Sequence, residues 1–170
     1  LYYNDFNEYM PQKTEAIYNM AMELKEKNLI DGIGMQSHLD VGFPTVSSYE
    51  KALAKFASTG LDVQVTELDI TTTDTSEAGF KKQAEIYKGI MDACVKYSDS
   101  ISAVVFWGTT DDKSWRASKY PLLFNEDYTA KDAFYAIVEG IDPPEYVPGD
   151  VDMNGSIEVS DLITVQKYLV

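Results

Sequence analysis

Val63-Gln64-Val65-Thr66-Glu67-Leu68-Asp69 is an apolar strand that runs out into two carboxylates, Glu67 and Asp69, at its C-terminal end. Segments of the same kind recur on either side, with short apolar or aromatic runs at 1–4, 32–38, 63–67 and 101–107. Amphipathic stretches separate them. Pro11, a good helix opener, precedes residues 12–27, where Ile17, Met20, Ala21 and Leu24 recur at helical spacing. Ser47 with Glu50 three residues on reads as a capping box; Leu53, Phe56 and Ala57 form the stripe of that helix, and Gly60 ends it. Residues 76–97 carry Phe80, Ala84, Tyr87, Met91 and Cys94 along one face, and 131–139 closes the pattern as a short helix.

Four strand-helix units in succession predict right-handed crossovers and a parallel sheet. The predicted fold is therefore α/β, half of a (β/α)8 TIM barrel made of four parallel βα units. A closed barrel of that kind takes about 250 residues, and the chain has 170. Residues 101–107 are a nearly continuous apolar run, as in a strand covered on both faces. In such a barrel the C-terminal strand ends bear the chemistry, so Glu67 stands where a catalytic carboxylate is expected.

With 28 acidic against 14 basic residues and a formal charge of -14, the surface repels phosphate backbones and anionic lipid. Neither nucleic acid nor membrane is an expected partner; neutral polymers and divalent cations suit that charge. No apolar run reaches the roughly 18 residues of a transmembrane helix. Cys94, the single cysteine, lies in an apolar helical register and reads as a buried free thiol. The sequence opens on Leu1-Tyr2-Tyr3, without a methionine or an apolar leader, which suggests a fragment; any secretion signal lies outside this sequence or was never there.

Each strand ends in polar or aromatic residues: Asn4 and Asp5, then Gln36 and His38, then Glu67 and Asp69, then Trp107 with Asp111, Asp112 and Trp115. Any one of these could merely start a loop. Four ends in a row predict convergence on one face. Gln36 and His38, two apart, share a side of their strand, and Glu67 and Asp69 repeat that spacing on the adjacent one. His38, the only histidine, would be oriented by two carboxylates, an arrangement that suits a nucleophilic carboxylate whose rotamer must not wander. Two tryptophans exposed beside carboxylates would offer flat platforms for sugar rings.

Leu1-Tyr-Tyr-Asn-Asp-Phe-Asn7, Gly32-Ile-Gly-Met-Gln-Ser-His-Leu39, Val65-Thr-Glu-Leu-Asp-Ile70 and Phe106-Trp-Gly-Thr-Thr-Asp-Asp-Lys-Ser-Trp-Arg116 resemble, in order, the fifth to eighth barrel strands of family 10 glycoside hydrolases, the endo-1,4-β-xylanases. The resemblance covers about residues 1–140, places the half-barrel catalytic domain at 1–141, and implies hydrolysis of xylan without a cofactor. It implies that Glu67 is the nucleophile and forms a covalent glycosyl-enzyme, with His38 and Asp69 orienting it. Gln36, Trp107 and Trp115 would line the subsites, and Asn4 would be a further lining residue. Retaining enzymes need a second carboxyl about 5 to 5.5 Å away as acid/base. In the family it ends a Trp-Asp-Val-Val-Asn-Glu type strand, and that sequence does not occur here. The isolated chain is therefore expected to lack appreciable xylanase activity and to associate through sheet edges at 1–4 and 101–107.

Prolines at 143, 144 and 148 make 142–148 a stiff extended linker. Residues 149–170 form a second module. Asp150, Asp152, Asn154, Ser156, Glu158 and Asp161, with Gly155 at the sharp turn, match a calcium loop of the EF-hand kind, and Leu162, Val165 and Leu169 suit a helix behind it. This resembles the first repeat of a dockerin, which implies structural Ca2+, a cohesin domain of a scaffoldin as partner, and a secreted, extracellular, cellulosome-attached protein. Another retaining glycosidase on the same barrel, such as a cellulase or mannanase, is a second reading. A non-catalytic carbohydrate-binding or calcium-dependent scaffold protein is a third.

Overall fold

The computed structural model describes residues 1–138, so the linker 142–148 and the calcium-loop segment 149–170 lie outside the described residues. Element order is β1 (Tyr2–Asp5), α1 (Pro11–Glu26), β2 (Gly32–Met35), β3 (His38–Asp40), α2 (Val46–Ala57), β4 (Asp62–Thr71), α3 (Glu77–Lys96), β5 (Ile101–Phe106) and α4 (Asp132–Val138). All strand pairs are parallel. β1 pairs β2, β2 pairs the lower part of β4, β3 pairs its upper part, and β5 pairs the other side of β4.

The single strand expected at 32–38 is thus two. Ser37 has φ +62°, a left-handed turn that interrupts the ladder between Met35 and His38. Together β2 and β3 still run the length of β4, so the strands lie side by side in chain order.

One irregularity in β4 decides the site. Met35 pairs with Val65, but His38 pairs with Asp69, so β4 spends one more residue than its neighbour over that interval. On the other edge, Val65 pairs with Val104 and Leu68 with Phe106, again one extra residue in β4. Both neighbours therefore locate a bulge between Val65 and Leu68, and a bulge exchanges the faces of all residues beyond it. Below it, Val63 and Val65 are buried against the helices while Asp62, Gln64 and Thr66 face the open side. Above it, Leu68 and Ile70 join the core, and Glu67 and Asp69 take the open side.

The helices pack in order, α1 on α2 and α2 on α3. Between them and the sheet lies a core of Ile17, Ala21, Ile33, Met35, Leu53, Phe56, Val63, Val65, Tyr87 and Ile90. Each large aliphatic or phenyl group buried there contributes roughly 1.5–3 kcal/mol. Cys94 is buried and free. Of two residues expected in this core, Met91 is half-buried at its margin and Phe80 is half-buried apart from it, edge to face with Tyr120. Pro11 opens α1 as expected, and Ser76 caps α3 by accepting from the Gly79 N–H. The cap of α2 is Thr45, which accepts from the Ser48 N–H at 3.1 Å; Ser47 lies inside the helix and Glu50 pairs with Lys96 instead. β5 is not covered on both faces: Ser102 and Val105 are exposed, because the helices cover one side only.

Candidate active site

The open face of the sheet holds two layers of polar side chains. In the lower one, Tyr2 and Ser102 donate to the Asp62 carboxylate, and Gln64 donates to Ser102 at 2.9 Å. Burial raises the Asp62 pKa, but the hydrogen bonds from Ser102, Tyr2 and Gln64 outweigh it and hold the carboxyl below its usual range.

The upper layer is built around Glu67. Asn4 donates from Nδ2 to Glu67 Oε1 at 3.0 Å, and His38 Nε2 lies 3.2 Å from Glu67 Oε2. Asn4 is itself oriented, since Thr66 Oγ1 donates to its Oδ1 at 2.8 Å. This pair exists because the bulge puts Thr66 and Glu67 side by side on one face. Gly34 makes room beneath: a Cβ there would lie 2.5 Å from Asn4 Oδ1.

His38 Nδ1 lies 3.0 Å from Asp69 Oδ2, so each ring nitrogen faces a carboxylate. Only the imidazolium donates to both; either neutral tautomer would set a lone pair against a carboxylate oxygen. Burial alone would lower the His38 pKa, yet the Asp69 hydrogen bond and the charges of Asp69 and Glu67 raise it overall. Asp69 is fully buried and saturated. It accepts from Trp115 Nε1 at 2.9 Å and from Arg116 Nη1 at 2.6 Å as well as facing His38. Arg116 also donates to Leu39 O and Thr71 Oγ1, which ties the loop after β5 to the ends of β3 and β4.

The indoles complete the rim. Trp115 is 67% exposed and Trp107 45%, and the His38 ring meets them edge to face, with centroids 5.0 Å and 6.5 Å away. Gln36 makes no side-chain hydrogen bond among the described residues; its N–H continues the ladder to Asp5 O at 3.0 Å. Three strand-end carboxylates expected at this face are paired elsewhere, Asp112 with the neighbouring Lys113 at 2.6 Å. Asp5 pairs with Lys13 and accepts from Tyr3, and Asp111 is buried against Lys131 at 2.8 Å while accepting from the Leu122 N–H. The metal-ligand set Asp150, Asp152, Asn154, Ser156, Glu158 and Asp161 lies outside the described residues.

Three residues here escaped the reading of the sequence. Arg116 partners Asp69 from 47 positions away, a distance over which no local pattern operates. Thr66 gains its role only through the bulge. Glu8, in the turn between Asn7 and the buried Tyr9, has no exposed surface at all.

A carboxylate fixed at both oxygens on the open end of a parallel α/β sheet, beside two exposed indoles, is an arrangement that suits a site of the glycosidase class. The comparisons with known proteins agree. The chain belongs to glycosyl hydrolase family 10, whose model matches residues 1–140. It is 54% identical over 134 residues to the bifunctional endo-1,4-beta-xylanase XylA of Ruminococcus flavefaciens, covering 79% of this chain and 14% of that protein. An endo-1,4-beta-xylanase of Geobacillus stearothermophilus is 36% identical over 157 residues, covering 81% of this chain and 47% of the relative. Among solved structures, the intracellular xylanase of Thermoanaerobacterium saccharolyticum superposes with a TM-score of 0.77 at 40% identity, over 81% of this chain and 44% of that one. The chain thus spans less than half the length of each of these relatives. The fold is the parallel α/β arrangement of family 10 TIM-barrel structures.

Proposed function

We propose that this chain supplies the nucleophile-bearing half of a retaining endo-1,4-β-xylanase barrel. The observation that carries the reading is the double hold on Glu67, by Asn4 at one oxygen and His38 at the other. A carboxylate so held presents one defined lone pair to an anomeric carbon and loses little orientational freedom on attack. Attack forms the glycosyl-Glu67 ester as the leaving-group oxygen takes a proton from an acid; water then cleaves the ester and returns the proton. Asp69 cannot be that acid, because Trp115, Arg116 and His38 occupy its oxygens. The acid/base is proposed to come from the barrel strand to which the resemblance assigns it, and the 170 residues alone are proposed to be inactive and to associate through the sheet edges at β1 and β5. Trp107, Trp115 and Gln36 are proposed to line the sugar subsites, as in the resemblance that names them.

Xylan is favoured as substrate by the xylanase relatives at 36–54% identity. The test is a chimera in which residues 1–138 replace the matching segment of the Geobacillus relative. It should release reducing sugar from xylan and much less from carboxymethylcellulose, while the isolated chain should release none. The reverse preference would assign another retaining glycosidase; no turnover on either polymer would favour the non-catalytic reading.

The tail is proposed to be a dockerin repeat that attaches an extracellular enzyme to a cohesin domain. Its donor set, Asp150, Asp152, Asn154, Ser156, Glu158 and Asp161, offers only hard oxygens, which suits Ca2+. The ion would be structural, ordering the loop. Calorimetry with calcium should give heat above a buffer blank.

A further inference from the structure

Behind His38 lies a second buried cluster that the reaction does not use. Ser37, in the left-handed turn at φ +62°, is fully buried, and its Oγ donates to Glu8 Oε1 at 3.0 Å. Tyr49 OH lies 2.7 Å from the same Oγ; since that hydroxyl proton already goes to Glu8, Tyr49 is the donor. Glu8 and Tyr49 have no exposed surface. The Glu8 backbone carbonyl accepts from Thr14 Oγ1 at 2.6 Å, which fixes the loop after β1 to α1. The second carboxyl oxygen of Glu8 is buried with no hydrogen-bond partner among the described residues.

A serine has no intrinsic reason to adopt a left-handed backbone. A buried carboxyl has none to leave one oxygen unpaired. Two unfavourable features meeting at one hydrogen bond point to a constraint held for its effect on a neighbour. That neighbour is His38, next in the chain, and the turn at Ser37 aims its ring between Glu67 and Asp69. The Ser37 carbonyl also accepts from the Asp69 N–H at 3.3 Å, so the same turn is tied directly to one of the histidine's two partners.

We propose that Glu8 is a positioning residue for the candidate nucleophile: acting through Ser37, it holds the left-handed turn that presents the His38 ring to Glu67. The role rests on the reading of Glu67 as nucleophile, but its test reads only the histidine. Burial pushes the Glu8 carboxyl up to about 7 against the hydrogen bond from Ser37, so a neutral amide is a close substitute for it.

His38 is the only histidine, which makes its ring nitrogens unambiguous in a 15N-1H correlation spectrum of the full 170-residue chain. Wild type should show protected ring protons and a pKa above 6.5. Glu8→Gln keeps an acceptor for Ser37 and should retain both features. Glu8→Ala should lose the ring-proton signals to solvent exchange and let the pKa fall toward 6.5, with the near-ultraviolet circular dichroism of the fold retained. Unchanged His38 signals in a folded Glu8→Ala would overturn the proposal. So would equal changes in the Gln and Ala variants, since charge and not position would then be the cause. Should Glu8→Ala not fold, Ser37→Gly decides: it allows the left-handed turn, removes the hydroxyl, and should reproduce the lost ring signals, whereas wild-type signals would overturn the role. A failure of the xylanase reading would appear in the chimera's turnover and leave these spectra unmoved.

Discussion

The two faces of β4 do different work. Toward the helices it presents Val63, Val65, Leu68 and Ile70, all fully buried in one apolar core. Toward the open side it presents Asp62, Gln64, Thr66, Glu67 and Asp69, each hydrogen-bonded to a neighbouring strand or loop. Apolar packing is concentrated on the first face and the candidate site on the second, and a single extra residue between Val65 and Leu68 transfers Glu67 from one to the other. The division can be broken from either side.

The largest expected effect falls on the open face. In an active chimera, Glu67→Gln should lower kcat on the order of 10⁴-fold, about 5.5 kcal/mol, while urea denaturation shows stability changed by less than about 1 kcal/mol. A large stability loss would show that the two faces are not independent. Phe56→Ala, in the helix-side core, should do the reverse, costing about 3–5 kcal/mol of stability with the His38 ring signals intact. Gly34→Ala lies between these extremes. Its Cβ drives into Asn4 Oδ1, so stability should fall by about 1–3 kcal/mol and turnover with it, because one hold on Glu67 is displaced.

The smallest effect is in pH dependence. The folded His38 pKa is raised, so the stabilisation by its charged form is complete below 6.5 and is lost as pH climbs through the folded value. Glu8 has the opposite chemistry but the same slope. Its folded pKa of about 7 exceeds the ordinary 4.5, so the native state binds the extra proton and stability falls as pH rises between those values. Urea midpoints of wild type and Glu8→Gln across this range should diverge between about pH 4.5 and 7, with the variant flatter; parallel curves would mean that Glu8 is not held neutral.

How much of this the sequence showed divides along the same line. The helix-side face was legible, because Val63, Val65 and Tyr87 recur at the periods of strand and helix, and chain-order pairing follows from repeated βα units. Local competition blurred the start of α2, where Thr45, Ser47 and Ser48 are all competent caps and only the backbone decides. The site residues were legible as types at strand ends, but their facing was not. Strict alternation from Val63 and Val65 would turn Glu67 and Asp69 into the helices, and the bulge that prevents it is visible only against β2, β3 and β5. Arg116 and Glu8 were hidden for a different reason: their importance lies in burial against residues distant in the chain, which no local pattern encodes.

The most direct test is covalent trapping at Glu67. An active chimera is treated with a fluorinated xylobioside bearing an activated aryl leaving group, so that the glycosyl-enzyme forms readily and hydrolyses slowly, and the labelled peptide is sequenced by mass spectrometry. The sugar should be found on Glu67 and should be absent from the Glu67→Gln variant. A label on Asp69 or any other carboxylate, or an active enzyme that takes no label, would contradict the account.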